Sequence, residues 1–254
     1  MSYASGVVTH PTGGSVGMGE LAGWLAAYAN DAFDRIDGWV DRGALGILAA
    51  LDDVQTRRGI AGGIAEIGVY HGRFFIAMNG LVTDPSVRSI AVDLFELQDL
   101  NIDSSGHGDA DAFRANLAQH DRHRGENVVI LSADSTRLTP SDILDHLNAR
   151  PRIVSVDGGH TPEHTISDLQ LASGVVGGFG MVILDDILNP YWLGVIEGTV
   201  RYLEQRPTLW PVAIGYNKLL LCPMSAHRTY LDALRPVIDT HGTVRLCGYE
   251  LLVL

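Results

Sequence analysis

Two short runs carry the residues best suited to chemistry, Val154-Ser155-Val156-Asp157-Gly158-Gly159-His160 and Val182-Ile183-Leu184-Asp185-Asp186. Each is an aliphatic stretch ending abruptly in carboxylates, the pattern of a parallel strand buried on both faces. If both belong to one sheet, Asp157, Asp185 and Asp186 leave it at the same edge, where the carboxyl ends of α/β strands form ligand crevices. Acids held that close repel one another unless something positive sits among them, and a hard divalent cation is the simplest partner. Such an all-oxygen donor set favours Mg²⁺ or Mn²⁺ over zinc, and Cys222 and Cys247 lie elsewhere. His160 follows Asp157 by three residues, and an imidazole near neutrality suits proton removal from an acceptor. The competing readings are plain: the acids cap loops, and His160 caps a helix starting near Pro162.

A second constellation lies earlier in the chain. Glu66-Ile67-Gly68-Val69-Tyr70-His71-Gly72 puts glycines where a strand hands over to a helix, and Asp93 ends the next strand. Glycine there permits unusual backbone angles and close ligand approach. An acid ending the second strand can accept from two ribose hydroxyls. A dinucleotide fingerprint needs G-x-G-x-x-G, whereas here Tyr70 stands at the middle glycine and obstructs a pyrophosphate. Glu66 suits a ligand bearing an ammonium group better than one bearing phosphate. The balance favours S-adenosylmethionine (SAM) over NAD. Asp134, ending a third strand, is placed to accept from an adenine amino group or else to cap the following turn.

The elements that must position these residues alternate. Strands are expected at residues 64–68, 89–93, 127–131, 153–156, 181–184, 218–222 and 244–253, with helices between most of them. Thr139-Pro140-Ser141-Asp142 is a helix start. Two further helices, from Glu20 and over residues 42–56, precede the first strand. The division is an N-terminal lid and helical cap, 1–60, and an α/β domain, 61–254, with a Rossmann-like, doubly wound sheet. Residues 1–19, rich in Gly, Ser, Thr and Pro, are a frayed terminus or a lid.

Length and charge set the remaining bounds. At 254 residues with 46% hydrophobic and 19% charged residues, the chain can bury a large core. A net charge of −12 argues against nucleic-acid or anionic-membrane partners. No apolar run approaches the roughly 20 residues of a membrane span. The first residues lack the basic start of a secretory signal, so a cytoplasmic protein with two buried thiols is expected.

Glu66-x-Gly68-x-x-x-Gly72-Arg73, Asp93-Leu94-Phe95, Asp157-Gly158-x-His160 and Asp185-Asp186 together resemble the class I SAM-dependent methyltransferases. Within that class they look like the metal-dependent, macrocin O-methyltransferase-like sugar methyltransferases, over about Ile64 to Leu254. The resemblance implies a seven-stranded sheet whose last strand is antiparallel. It implies SAM held by Glu66, Gly68, Tyr70, Gly72, Asp93 and Asp134, Mg²⁺ held by Asp157, Asp185 and Asp186, and His160 as base. The implied acceptor is a sugar or glycoside hydroxyl; a vicinal diol could present two oxygens to the ion. Alternatives are a catechol-type enzyme acting on a phenolic diol and a non-catalytic SAM-binding protein. The helical cap makes a homo-oligomer, dimer or larger, the expected assembly.

Overall fold

The computed structural model of the protein describes residues 23–238 and 240–254. The expected lid at 1–19 lies outside them. In chain order the elements are α1 (Gly23–Asp31), α2 (Ala44–Arg57), β1 (Ile64–Ile67), α3 (Arg73–Asn79), β2 (Ser89–Asp93), α4 (Ala110–His120) and β3 (Val128–Ser132). They continue with α5 (Pro140–Leu144), β4 (Ile153–Val156), α6 (Pro162–Val175), β5 (Met181–Leu184), α7 (Leu193–Glu204), β6 (Leu209–Gly215) and β7 (Lys218–Pro223). The chain closes with α8 (His227–Leu234), β8 (Gly242–Leu246) and β9 (Tyr249–Val253).

All strands join one sheet in the order β3-β2-β1-β4-β5-β7-β6-β9-β8. β1 to β5 are mutually parallel, and β7 inserts antiparallel between β5 and β6. Every residue of β1, β4 and β5 is buried, as their unbroken apolar runs require. Alternate side chains serve two cores. Ile64, Ile153 and Ile183 pack with α1, α2, α3 and α8, while Ala65, Val154 and Val182 pack with α6 and α7. The order turns back between β1 and β4, so a crevice opens at their carboxyl ends.

Among the described residues the expected seven strands are nine. β6 is the strand missed: Pro211 interrupts its pattern, and proline in a run ordinarily marks an edge or a bulge. Here it sits where the β6–β7 register shifts, which lets an interior strand carry it. The run expected as one strand over residues 244–253 is instead a hairpin, β8–β9, turning at Cys247 and Gly248. Both turn residues have positive φ, 50° and 87°, as the tightest hairpin connections require. Cys222 is buried in β7 as expected, but Cys247 is exposed on that turn, a correction with the same cause. Thr139 and Asp142 close a reciprocal cap on α5, as their spacing predicts, and the helix is short, ending at Leu144.

Candidate active site

The strand ends and the loops above them enclose a cavity of about 570 Å³. Glu66, Gly68, Tyr70, Asp93, Asp134, Asp157, His160, Asp185 and Asp186 all line it, so one site collects nine of the residues singled out from the sequence. Gly72 does not line it. That glycine opens α3 at φ 92°, and a Cβ there would sit 2.6 Å from the Phe113 ring; its role is packing.

At one end the β1 exit bends sharply. Gly68 has φ 80°, and a Cβ on it would fall 1.8 Å from the Asp157 carbonyl oxygen. Only glycine lets the β1 and β4 exits lie this close. Asp93 reaches across from β2 and accepts from the Val69 and Tyr70 amides at 2.8 and 2.9 Å, and from Phe95 at 3.0 Å. It therefore shapes the glycine turn as well as facing the cavity. Tyr70, at φ 49°, stacks on His71 and donates its hydroxyl to Asp37. Asp134 caps the turn after β3, accepting from the Thr136 amide and hydroxyl and pairing with Arg137. Glu66 is 2% exposed and its Oε2 has no hydrogen-bond partner. Burial pushes its carboxyl up to about 8, with the Asp185 and Asp93 charges adding to the rise.

At the other end the loop after β4 lies flat on α6. A Cβ on Gly158 would meet Asp168 at 2.5 Å, and one on Gly159 would meet His164 at 2.8 Å. α7 closes from above through Gly194 and Gly198, one turn apart on a single face. Side chains there would strike the His160 and Pro162 carbonyl oxygens. This close packing lays Trp192 on the His160 ring, centroids 4.3 Å apart and 15° from parallel. Asp103, from the loop after β2, accepts from the His160 amide and from Nδ1, both at 2.8 Å. His160 Nε2 is 2.9 Å from Asp186, which also accepts from Asn189 and Asn217. Burial opposes an imidazolium here, but the Asp103 and Asp186 bonds and the Asp157 charge outweigh it and raise the ring to about 10. Burial, then the charge of Asp185, holds the Asp157 carboxyl well above the carboxylate range.

Donor atoms of Asp157, His160 and Asp186 lie within 4.8 Å of one another, a spacing a single cation can bridge. Asp185, expected to be the third acid of that set, is instead paired with the buried Lys218 and accepts from the Asp186 amide at 2.8 Å. The positive partner demanded by three adjacent acids is thus, at Asp185, a lysine. Neither Lys218 nor Asp103 was singled out beforehand. Lys218 opens an apolar strand, and Asp103 belongs to a polar loop with several acids, so nothing local marks either.

Comparisons with known proteins bear on the fold that carries this site. Residues 65–187, just under half the chain, match the family described as "Methyltransferase domain". No curated protein matches the sequence. Among solved structures, the O-methyltransferase NovP superposes with a TM-score of 0.57 at 16% identity, covering 72% of this chain and 80% of that one. An O-methyltransferase from Bacillus cereus, in complex with SAH, gives 0.52 at 16% identity, covering 78% and 87%. TomG from Streptomyces achromogenes, an O-methyltransferase involved in tomaymycin synthesis and solved with SAM, gives 0.50 at 19%, covering 80% and 89%.

Proposed function

We propose that this chain is a class I, SAM-dependent methyltransferase that methylates a sugar hydroxyl with the help of a divalent cation, Mg²⁺ or Mn²⁺, a reading supported by the methyltransferase-domain match over residues 65–187. One observation carries the reading. A single cavity holds Glu66, whose buried Oε2 has no hydrogen-bond partner, at one end and the Asp157, His160 and Asp186 cluster at the other. The division is a cap, 1–60, and a catalytic domain, 61–254.

The residues fit both groups. Glu66 Oε2 is a buried acceptor facing the cavity without a donor, and Gly68 keeps the wall free of side-chain bulk. Asp93 and Asp134 retain unused acceptor capacity beside their backbone and Arg137 bonds. SAM supplies an electrophilic methyl group on a sulfonium. Asp157 and Asp186 would hold the cation, which when bound stabilises the developing alkoxide of the acceptor.

His160 then takes the acceptor proton. Its Nδ1 is committed to Asp103, so Nε2 is the basic atom, and it accepts only when Asp186 is engaged elsewhere. Trp192 and Asp103 fix the ring plane and tautomer. The mouth carries Trp39, Leu100 and Ile102, exposed apolar faces suited to the body of a glycoside. The catechol-type alternative would need less from His160, because a phenol loses its proton more readily.

The test is SAH release from SAM in the presence of sugar and glycoside acceptors, with and without EDTA. The expected result is turnover with Mg²⁺ and loss on chelation, SAM binding being retained by calorimetry. Full activity in EDTA would remove the cation from the reading. SAM binding without turnover on any hydroxyl acceptor would leave a non-catalytic SAM-binding protein.

A further inference from the structure

Lys218 is 2% exposed, in the floor of the acid cluster. The antiparallel pairing that sets Leu219 opposite Leu184 brings Lys218 beside the next residue of β5's exit, Asp185. Its Nζ pairs with Asp185 Oδ2 and lies 4.7 Å above the Phe74 ring. The other Asp185 oxygen accepts from the Asp186 amide at 2.8 Å, and the residue is 6% exposed. Both oxygens are therefore committed. The converging donor atoms are those of Asp157, His160 and Asp186, without Asp185.

We propose that Lys218 is a built-in counter-ion that withdraws Asp185 from the metal site, leaving Asp157 and Asp186 as its carboxylate ligands. This rests on the cation of the proposed function. For Asp185 to turn toward an ion, it must abandon an ammonium that is shut off from bulk solvent. Stranding a buried charge costs more than one oxygen ligand returns, because water fills a vacant coordination position. The lysine thus serves as a fixed cation in the floor, and the exchangeable one sits above it.

The experiment is Mn²⁺ titration of the full chain, followed by calorimetry and by the electron paramagnetic resonance of free Mn²⁺, with folding checked by circular dichroism. Asp157→Asn and Asp186→Asn are each expected to weaken Mn²⁺ at least about tenfold. Asp185→Asn is expected to stay near the wild-type affinity. Because that variant strands Lys218, the double variant Asp185→Leu with Lys218→Met is the companion; it replaces the pair by apolar groups and is expected to fold and keep Mn²⁺ affinity. Lys218→Met alone frees Asp185 and is expected to tighten Mn²⁺. The proposal is overturned if a folded Asp185 variant loses Mn²⁺ as Asp157→Asn does, or if Lys218→Met fails to tighten it. Wild-type protein that binds SAH but no Mn²⁺ would instead defeat the cation of the proposed function.

Discussion

His160 is held on three sides: Asp103 on Nδ1, Asp186 on Nε2, and the Trp192 face against the ring. The contacts aim the ring at the acid cluster, away from Glu66, so removing it should affect chemistry without affecting cofactor binding. His160→Ala is expected to cut kcat by about 10² to 10⁴ with the SAM dissociation constant unchanged; a matching loss of SAM binding would mark a structural histidine. Asp103→Asn keeps the size but offers Nδ1 an amide in place of a carboxylate. A drop of about 10- to 100-fold in kcat is expected, with KM for SAM unaltered; an unchanged rate would show that Trp192 alone fixes the ring. The strand-end acids were legible because they stand where an apolar run stops, and His160 because it follows Asp157 by three residues. Their partners were not: Asp103 is 57 residues from His160 and Lys218 is 33 from Asp185. Coulomb's law called for a positive charge among the acids and said nothing of whether it would be an ion or a side chain.

At the level of elements, the helix nearest the chemistry is α7, and glycines set its distance. A Cβ on Gly194 would lie 2.3 Å from the His160 carbonyl oxygen, too close for any relaxation short of moving the helix. Gly194→Ala should cost about 1–3 kcal/mol of stability by urea unfolding and lower kcat, because Trp192 moves with the helix start. Stability lost with kcat intact would separate the stacking from the chemistry. Strands β1, β2, β4 and β5 were readable from their continuous aliphatic runs, which burial on both faces requires; β3, half-exposed at the sheet edge, carries a similar run. The far half of the sheet was less so. β6 hides behind Pro211, and β8 and β9 read as one strand because a two-residue turn is shorter than a loop pattern needs.

Across the whole molecule, three groups give stability the same pH dependence. Glu66 is raised to about 8, Asp168 to about 7 and His160 to about 10. Burial is the leading cause for the two acids, and Asp168 has no hydrogen-bond partner for either oxygen. A raised folded value means the folded state keeps a proton that the unfolded chain gives up near 4 for the acids and 6.5 for the imidazole. Each contribution is complete below those values and gone once pH passes the folded one. The carboxyls of Asp103 and Asp186, held against burial below their ordinary range by their bonds to His160, lose their contribution in acid, so the ion-free protein should be most stable near the carboxylate range, at about pH 4 to 5, and weaken toward pH 9. Glu66→Gln should remove on the order of a few kcal/mol of that slope between pH 5 and 8, read from urea midpoints; a flat wild-type profile would contradict the buried-acid account. Among the described residues no helix is long and apolar enough to cross a membrane. α1 and α2, expected as a cap, share an apolar core with the sheet, so the cap and the strand floor pack as one body. One further consequence lies in the hairpin turn. β9 runs parallel to β6, hence to β1, so Cys247 sits at the sheet edge opposite the cavity, while Cys222 is sealed inside. The protein thus carries a single accessible handle for a maleimide dye or spin label, remote from the reacting groups, through which tumbling and self-association can be followed during turnover without any engineered attachment point.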